Sequence, residues 1–253
     1  MRNYLKAELF RNFHHRILWG CIACIVGCGL LGCIAFEYMN ICNGANLTIE
    51  LVMTIGVGVI PAYTYLMGAF SEMTMGEEFK NNTIKNIASS GLSRGKIYVC
   101  KVIESIILMA FVTFVSFVLI VLLGYLILGS SSSEEFISIL KECVTRGSIA
   151  LILWSGAIAV SVFLIAVFKN STTAILIYVA LIMSRGEIFR LLGRYMNPIF
   201  THMKKYLLTT QLNQLVEVSQ LSSEFIARAL VVGFGSIVVM TFLGYKVLKR
   251  ADV

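Results

Sequence analysis

The chain has 253 residues, of which 58% are hydrophobic and only 14% are charged, and its mean hydropathy is +0.84. A soluble domain averages about 45–50% apolar and about 25% charged residues, so this composition excludes a disordered chain, a collagen-like repeat and a disulfide-rich secreted scaffold. It indicates an all-α integral membrane protein, in which the net charge of +7 has to be interpreted by the loops that carry it.

Five stretches are long and apolar enough to cross a membrane, since a span needs about 20 mostly apolar residues. They are residues 17–36, 51–71, 102–128, 149–168 and 225–245. A sixth stretch, 172–183, reaches span length only by including Arg185, Glu187 and Arg190. We count it as a span, because otherwise the two long flanking segments would have to share one face. The sequence therefore predicts six spans in a single transmembrane domain over residues 1–253.

The distribution of basic residues predicts the orientation of the spans. With the N-terminus inside, the inner loops and both termini carry most of the 21 Lys and Arg residues. This positive-inside bias predicts that both termini are cytoplasmic. A cleaved signal peptide is the alternative interpretation of the first apolar stretch, because basic residues precede it.

Ionisable residues are rare within the predicted spans. Only Glu104 and Arg228 occur there, each within about one helical turn of a span end. Transporters driven by ion gradients place such groups at depth, so we expect the energy for transport to come from a separate protein. The sequence contains no P-loop, zinc-protease or serine-hydrolase motif. We therefore predict that this chain by itself is not an enzyme and binds no metal or cofactor.

The cysteines suggest no metal site either. Cys21 and Cys24 have a C-x-x-C spacing, but they lie in an apolar helix, where zinc thiolates are costly. Small residues of this kind are typical of helix contacts. Cys42 and Cys143 fall in predicted outer loops, and the sequence leaves open whether they pair.

The segment between spans two and three, residues 72–104, is the most informative part of the chain. Asn82 is suited to cap a helix over residues 83–89, and Gly91 is suited to end it. Ser93 is suited to cap a second helix that continues into span three. This pattern predicts a short surface helix followed by a turn, and a solvated connection is the alternative.

This segment resembles the permeases of type-2 ABC (ATP-binding cassette) exporters. In that family an acidic residue, a Gly-Thr pair, a Ser-Arg pair and a Lys at the start of span three mark the loop. This chain differs at Asn82, where Gly is common, and at Gly91-Leu92, where Pro often precedes Ser-Arg. The matching positions here are Glu78, Thr83, Ser93, Arg94 and Lys101.

The N-terminal segment, residues 1–16, is similar to the short permeases of lantibiotic-immunity and antimicrobial-peptide exporters. Leu5, Leu9 and Phe13 recur every fourth residue, which predicts an interfacial helix. With four basic residues and two His among these sixteen, we expect this helix not to face the protein core.

The resemblance implies the permease subunit of an ATP-driven exporter for an antimicrobial peptide or another amphipathic compound, in a bacterial plasma membrane. A separate ABC ATPase, which holds ATP and Mg, would dock under a cytoplasmic coupling loop at residues 72–101, with the first helix in a groove of that subunit. A dimer with an identical or related permease is expected, surrounded by membrane lipids, with no nucleic acid involved. A sensor subunit that binds an ATPase without transporting is the alternative. The residues expected to couple the ATPase are Glu78, Thr83, Ser93, Arg94, Lys96 and Lys101.

The outer connection, residues 184–225, is long for a loop and contains five basic residues. Apolar residues with helical spacing predict an amphipathic or re-entrant element that ends at Asn197-Pro198. The basic side chains have two open interpretations, anchoring on anionic headgroups and contact with the exported substrate. The apolar positions are Ile188, Leu191, Leu192 and Tyr195, and the candidate contacts are Arg190, Arg194, Lys204 and Lys205.

Overall fold

The computed structural model describes residues 1–81, 83–84, 93–184, 186–195, 203–218 and 221–250, and the regular structure in these residues is helical. A π-helical segment (Glu72–Gly76) joins α5 to α6, and a 3-10 turn (Lys204–Tyr206) precedes α11. In chain order the helices are α1 (Arg2–Phe13), α2 (Arg16–Asn43), α3 (Ile49–Gly58), α4 (Ile60–Tyr63), α5 (Leu66–Ser71), α6 (Glu77–Lys80), α7 (Arg94–Leu128), α8 (Ser133–Phe168), α9 (Ser171–Met183), α10 (Glu187–Tyr195), α11 (Leu208–Glu217) and α12 (Ser223–Arg250).

Within the described residues, four helices are long and apolar enough to cross a membrane, namely α2, α7, α8 and α12. A fifth candidate consists of Ile49–Gly58 and Ile60–Lys80, two segments that meet at an angle of 53°. Helix α9 has 13 residues, which at about 1.5 Å per residue falls short of the roughly 30 Å of hydrocarbon. The span predicted over residues 172–183, which would bring the total to six, therefore stays a prediction.

This fifth candidate bends where the backbone cannot complete the series of helical hydrogen bonds. Pro61, near the start of α4, has no N–H to donate, so a continuous helix loses a hydrogen bond there. The hydroxyl of Tyr178 on α9 donates to the carbonyl oxygen of Thr64 at 2.7 Å. Both residues are fully buried, so a side chain from a neighbouring helix donates to a backbone carbonyl just after the bend.

Helix α8 is the centre of the packing. Its buried face is rich in alanine, as at Ala150, Ala157 and Ala166, and α12 packs along it. At their crossing, a Cβ on Gly233 would lie 2.7 Å from Ile152 Cγ2 and 3.1 Å from the Ile152 carbonyl oxygen. Small residues thus let the two helices approach closely, as is typical of membrane helices.

The helices of two candidate spans extend beyond their apolar stretches. Helix α7 starts at Arg94, directly after Ser93 as the sequence predicts, and α8 starts at Ser133, well before the expected residue 149. The Ser132 hydroxyl accepts the Glu135 N–H at 3.2 Å and caps α8. The placement of Cys143 in an outer loop is therefore wrong.

Cys143 is instead buried on α8, where its thiol contacts the Met53 carbonyl oxygen at 3.8 Å. Cys42 is exposed at the end of α2, and both cysteines are free thiols.

The first half of the bent segment, α3, is tied to the turn that precedes α8, because the buried Glu50 carboxylate accepts the Ser131 N–H at 3.2 Å.

Arg146 also lies on α8, and it is 3% exposed. Its guanidinium donates to the carbonyl oxygen of Val218 at 2.8 Å and to that of Leu215. Those carbonyls stand at the C-terminal end of α11, where helix carbonyls lack partners and the dipole favours a cation. Arg146 therefore anchors α11 to α8.

We expect Arg146→Met to lower the free energy of unfolding by about 1–3 kcal/mol, because it leaves buried carbonyl groups without donors. Equilibrium denaturation of the purified protein in detergent measures this loss. The matched control is Lys141→Met, which removes an exposed cation from the same helix and should change stability by less than about 0.5 kcal/mol. Equal effects of the two substitutions would contradict the anchoring role.

Candidate functional site

Five ionisable side chains meet where α1 packs against the start of α7 and the end of α6. Glu8 and Arg11 come from α1, Glu78 from α6, and Lys101 and Glu104 from α7. On each of α1 and α7 the two contributing residues are three positions apart, which puts them on one face of the helix. We call these five residues the ion network.

Lys101 is at the centre of the ion network and is fully buried. Its ammonium nitrogen lies 2.6 Å from Glu8 Oε2, 3.0 Å from Glu78 Oε1 and 3.3 Å from Glu104 Oε2. An ammonium has three protons to donate, and here three carboxylates surround it. Since an isolated buried charge is very costly, each partner offsets part of the cost of burying the other.

Glu78 connects the ion network to the segment between spans two and three. Its side chain is 1% exposed. Arg11 Nη2 lies 2.9 Å from Glu78 Oε1 and 2.7 Å from Glu8 Oε2, so one guanidinium joins α1 to α6. The Thr83 hydroxyl donates to the other Glu78 oxygen. Both oxygens of this carboxylate are therefore bonded.

Two neutral side chains of α1 complete the site. Asn12 is buried and its amide donates to Glu104 Oε1. The ring centroid of Tyr4 lies 5.7 Å from the Lys101 ammonium, within reach of a cation–π interaction. With Glu8, these residues repeat every fourth position, so α1 presents one continuous polar face to α7.

The charges of the ion network do not balance, because three carboxylates face two cations. Burial raises the pKa of Tyr4 well above its ordinary value, and neighbouring carboxylates add to this while Lys101 opposes it, so the phenol stays neutral. Burial lowers the pKa of Arg11, but the hydrogen bond and charge of Glu78, together with Glu8, outweigh it and the net direction is upward. Arg11 therefore stays charged.

The expectation that the N-terminal helix does not face the core is wrong for its polar side. Glu8 and Asn12 are buried against α7, while Leu9 and Phe13 are only partly buried. The Phe13 ring meets Phe111 of α7 edge-on, with centroids 4.8 Å apart. Charge does not keep α1 from docking here, because α6 and α7 supply buried side chains of opposite charge.

The six residues predicted to couple an ATPase fall into two groups. Glu78, Thr83 and Lys101 point inward, into or against the ion network. The other three lie where α7 begins: Ser93 is its N-cap residue, Arg94 is half-buried and Lys96 is exposed. Asn82 and most of the predicted helix over residues 83–89 lie outside the described residues.

Sequence reasoning missed the residues that α1 contributes, and missed Glu104 as a partner of Lys101. The interfacial helix was predicted from the apolar residues Leu5, Leu9 and Phe13. The available signal was the polar spacing of Tyr4, Glu8 and Asn12, which puts an acid and an amide on one face of a short helix.

The four basic residues predicted to contact lipid or substrate lie on and near α10. Arg190 is 2.6 Å from Glu187, which is also 3.8 Å from Lys204, so one carboxylate partly neutralises two of the cations. Arg194 and Lys205 are exposed. The predicted end of this element at Asn197-Pro198 lies outside the described residues. In the part of the chain that the structure describes, no three His, Cys, Asp or Glu residues group as metal ligands.

We expect Lys101→Met to lower the free energy of unfolding by about 3–5 kcal/mol, since it leaves three buried carboxylates without their central cation. Denaturant titration in detergent measures the loss. Lys96→Met, an exposed position on the same helix, is the matched control and should cost less than about 0.5 kcal/mol. If both variants lose the same stability, the ion network does not hold this end of the protein together.

Comparison with known proteins identifies one family. The family model described as ABC-2 family transporter protein matches residues 4–185. That range includes every residue of the ion network and both ends of the segment between spans two and three. No curated protein matches the chain.

Proposed function

Because the chain belongs to the ABC-2 transporter family, we propose that it is the permease subunit of an exporter that moves a lantibiotic-like antimicrobial peptide, or another amphipathic compound, out of the membrane or cell. Membership of this family makes the chain a multi-pass membrane component of a transporter and implies an ABC ATPase as its partner. The ATPase supplies the energy, since the sequence has no P-loop of its own.

The observation that carries the proposal is the ion network. It ties α1, the end of the bent second span and the start of α7 to one buried ammonium. Separating any of these three elements would leave a charge buried without its partner, which costs several kcal/mol. A push on this end of the protein therefore moves α1, α6 and α7 together. This is the behaviour that a permease needs to convert ATPase closure into movement of its spans.

The ATPase contact lies next to the ion network in this proposal. Lys96 is exposed five residues before Lys101, the centre of the network, and Arg94 starts the same helix. These cations orient the ATPase, and Glu78, Thr83, Ser93 and Lys101 hold the surface on which it docks. With α1 in a groove of the ATPase, the docked surface combines two elements that Glu8, Arg11 and Lys101 already join.

The proposed assembly follows the same reasoning. Both termini are cytoplasmic in a bacterial plasma membrane, because this orientation gives the inner loops most of the basic residues. The chain crosses the membrane six times, with α9 as the core of the short fifth span. Two permeases, identical or related, form the path, and each binds one ATPase of a dimer.

We expect Arg94→Glu/Lys96→Glu to reduce the amount of ATPase that co-purifies with the permease at least about tenfold, because like charges then face each other in the contact. The matched control is Lys141→Glu/Arg194→Glu, which reverses two exposed cations, one on α8 and one on α10. We expect this control to leave association unchanged. Transport into inverted vesicles by wild-type complex, with ATP present, is the second readout. Undiminished association and transport in the double variant would exclude this docking site. Association without any transport by the wild type would favour a sensor subunit.

We expect neutralisation of the outer basic residues to reduce export several-fold at unchanged expression. The sharper variant is Arg194→Gln/Lys205→Gln, because both side chains are exposed. Glu187→Gln is the companion variant, since it removes the carboxylate that pairs with Arg190 and Lys204 without removing a cation. Resistance of cells to the exported peptide measures the effect. If export is intact in the first variant but stability in the membrane falls, the cations anchor the segment and do not contact substrate.

A further inference from the structure

An open groove runs between α7 and α12, with a volume of about 390 Å³. Its walls are mostly aliphatic and aromatic, two of its side chains carry a hydroxyl, and none is charged. Val238 and Phe242 on its rim are 66% and 56% exposed. The lining residues are Val99, Ile237, Val238, Thr241, Phe242 and Tyr245.

The two helices that form the groove cross closely where α7 begins. A Cβ on Gly95 would clash with the Tyr245 ring, and one on Gly244 would clash with the Tyr98 ring, so each helix places a tyrosine against a glycine of the other. The Tyr98 hydroxyl also donates to the Met240 carbonyl oxygen at 3.4 Å. Because this crossing brings the start of α7 beside the end of α12, both walls of the groove finish at the same end of the molecule.

At that end both walls change from apolar to cationic. Lys246 follows Phe242 by one helical turn, and its ammonium lies 4.3 Å from the Phe242 ring centroid. Lys249 follows Tyr245 at the same spacing and is exposed. On the opposite wall, Lys96 is exposed and precedes Val99 by three residues. Two exposed lysines thus follow the apolar lining of α12, and a third precedes Val99, the lining residue of α7.

We propose that this groove binds an anionic phospholipid of the surrounding membrane. One acyl chain lies along Val238 and Phe242, and the headgroup phosphate is bound by Lys246 and Lys249, with Lys96 on the other wall. A lipid acyl chain in the groove makes close van der Waals contacts with the groove walls. Each ammonium near an anionic headgroup contributes about 1 kcal/mol. Charge therefore selects the anionic headgroup over a zwitterionic one.

A second copy of this chain fits the groove less well. Two copies related by an axis along the membrane normal place the same residues at the same depth. The lysines of both copies would then meet at one level, and like charges in contact oppose association. The proposed occupant is independent of the direction of transport, and its test depends on Lys246 and Lys249, which the proposed ATPase contact does not use.

Native mass spectrometry of the purified permease in detergent tests this inference. The probes are phosphatidylglycerol and phosphatidylcholine with identical acyl chains, and the quantity measured is the dissociation constant of the first bound lipid. We expect phosphatidylglycerol to bind more tightly. In Lys246→Gln/Lys249→Gln its affinity should fall roughly 30-fold, which corresponds to about 1 kcal/mol for each lysine.

Two matched variants separate the headgroup from the groove. Lys141→Gln/Lys169→Gln removes two exposed cations elsewhere and should keep the preference. Val238→Trp fills the groove and should weaken both lipids, while its unchanged melting temperature would show that the fold is intact. Equal affinity for the two lipids, equal loss in both lysine pairs, undiminished binding to Val238→Trp, or a lipid-free dimer would each overturn the inference.

Discussion

The burial of one ammonium group among three carboxylates determines how one end of this protein is assembled. Lys101 has no exposed surface and lies within 3.3 Å of carboxylates from α1, α6 and α7. A buried charge is tolerated only with its partners. Ion pairs as well as apolar contacts therefore hold α1 against α7. For a chain of the ABC-2 transporter family, this makes the N-terminal helix part of the same body as the start of the third span and not a separate anchor on the membrane surface.

The two kinds of interaction that hold the helices act at different places. Along α8 the contacts depend on small side chains, as where Gly233 fits against Ile152, because helices within a membrane gain stability mainly from close packing. Towards the ends of the spans, charged side chains take over, with the ion network at one end and Arg146 at the other. In both places the buried charge has polar partners, which offset part of the cost of burying it.

Much of this architecture follows from the sequence, since long apolar stretches locate α2, α7, α8 and α12, and Ser93 marks the start of α7. The extension of α8 back to Ser133 was missed because its first turns carry polar residues, which indicate a loop by hydropathy although they form helices readily. Pro61 marks the bend in the sequence, but the 53° angle and the hydrogen bond from Tyr178 of α9 do not follow from it. The family motif singles out Glu78 and Lys101, but not their pairing with α1, because Glu8 and Asn12 contact Lys101 and Glu104 across about ninety residues of chain.

The bent segment formed by Ile49–Gly58 and Ile60–Lys80, a candidate span, is fastened at both of its ends to different parts of the protein. Its first half is tied to the start of α8 through the bond between Glu50 and Ser131, and its second half ends in the ion network through Glu78. Pro61 lies between these two attachments, at the bend. The Tyr178 hydroxyl on α9 donates one hydrogen bond to the Thr64 carbonyl just after it. The net worth of one such bond is about 1 kcal/mol, so this contact adds only modestly to what holds the bend in place.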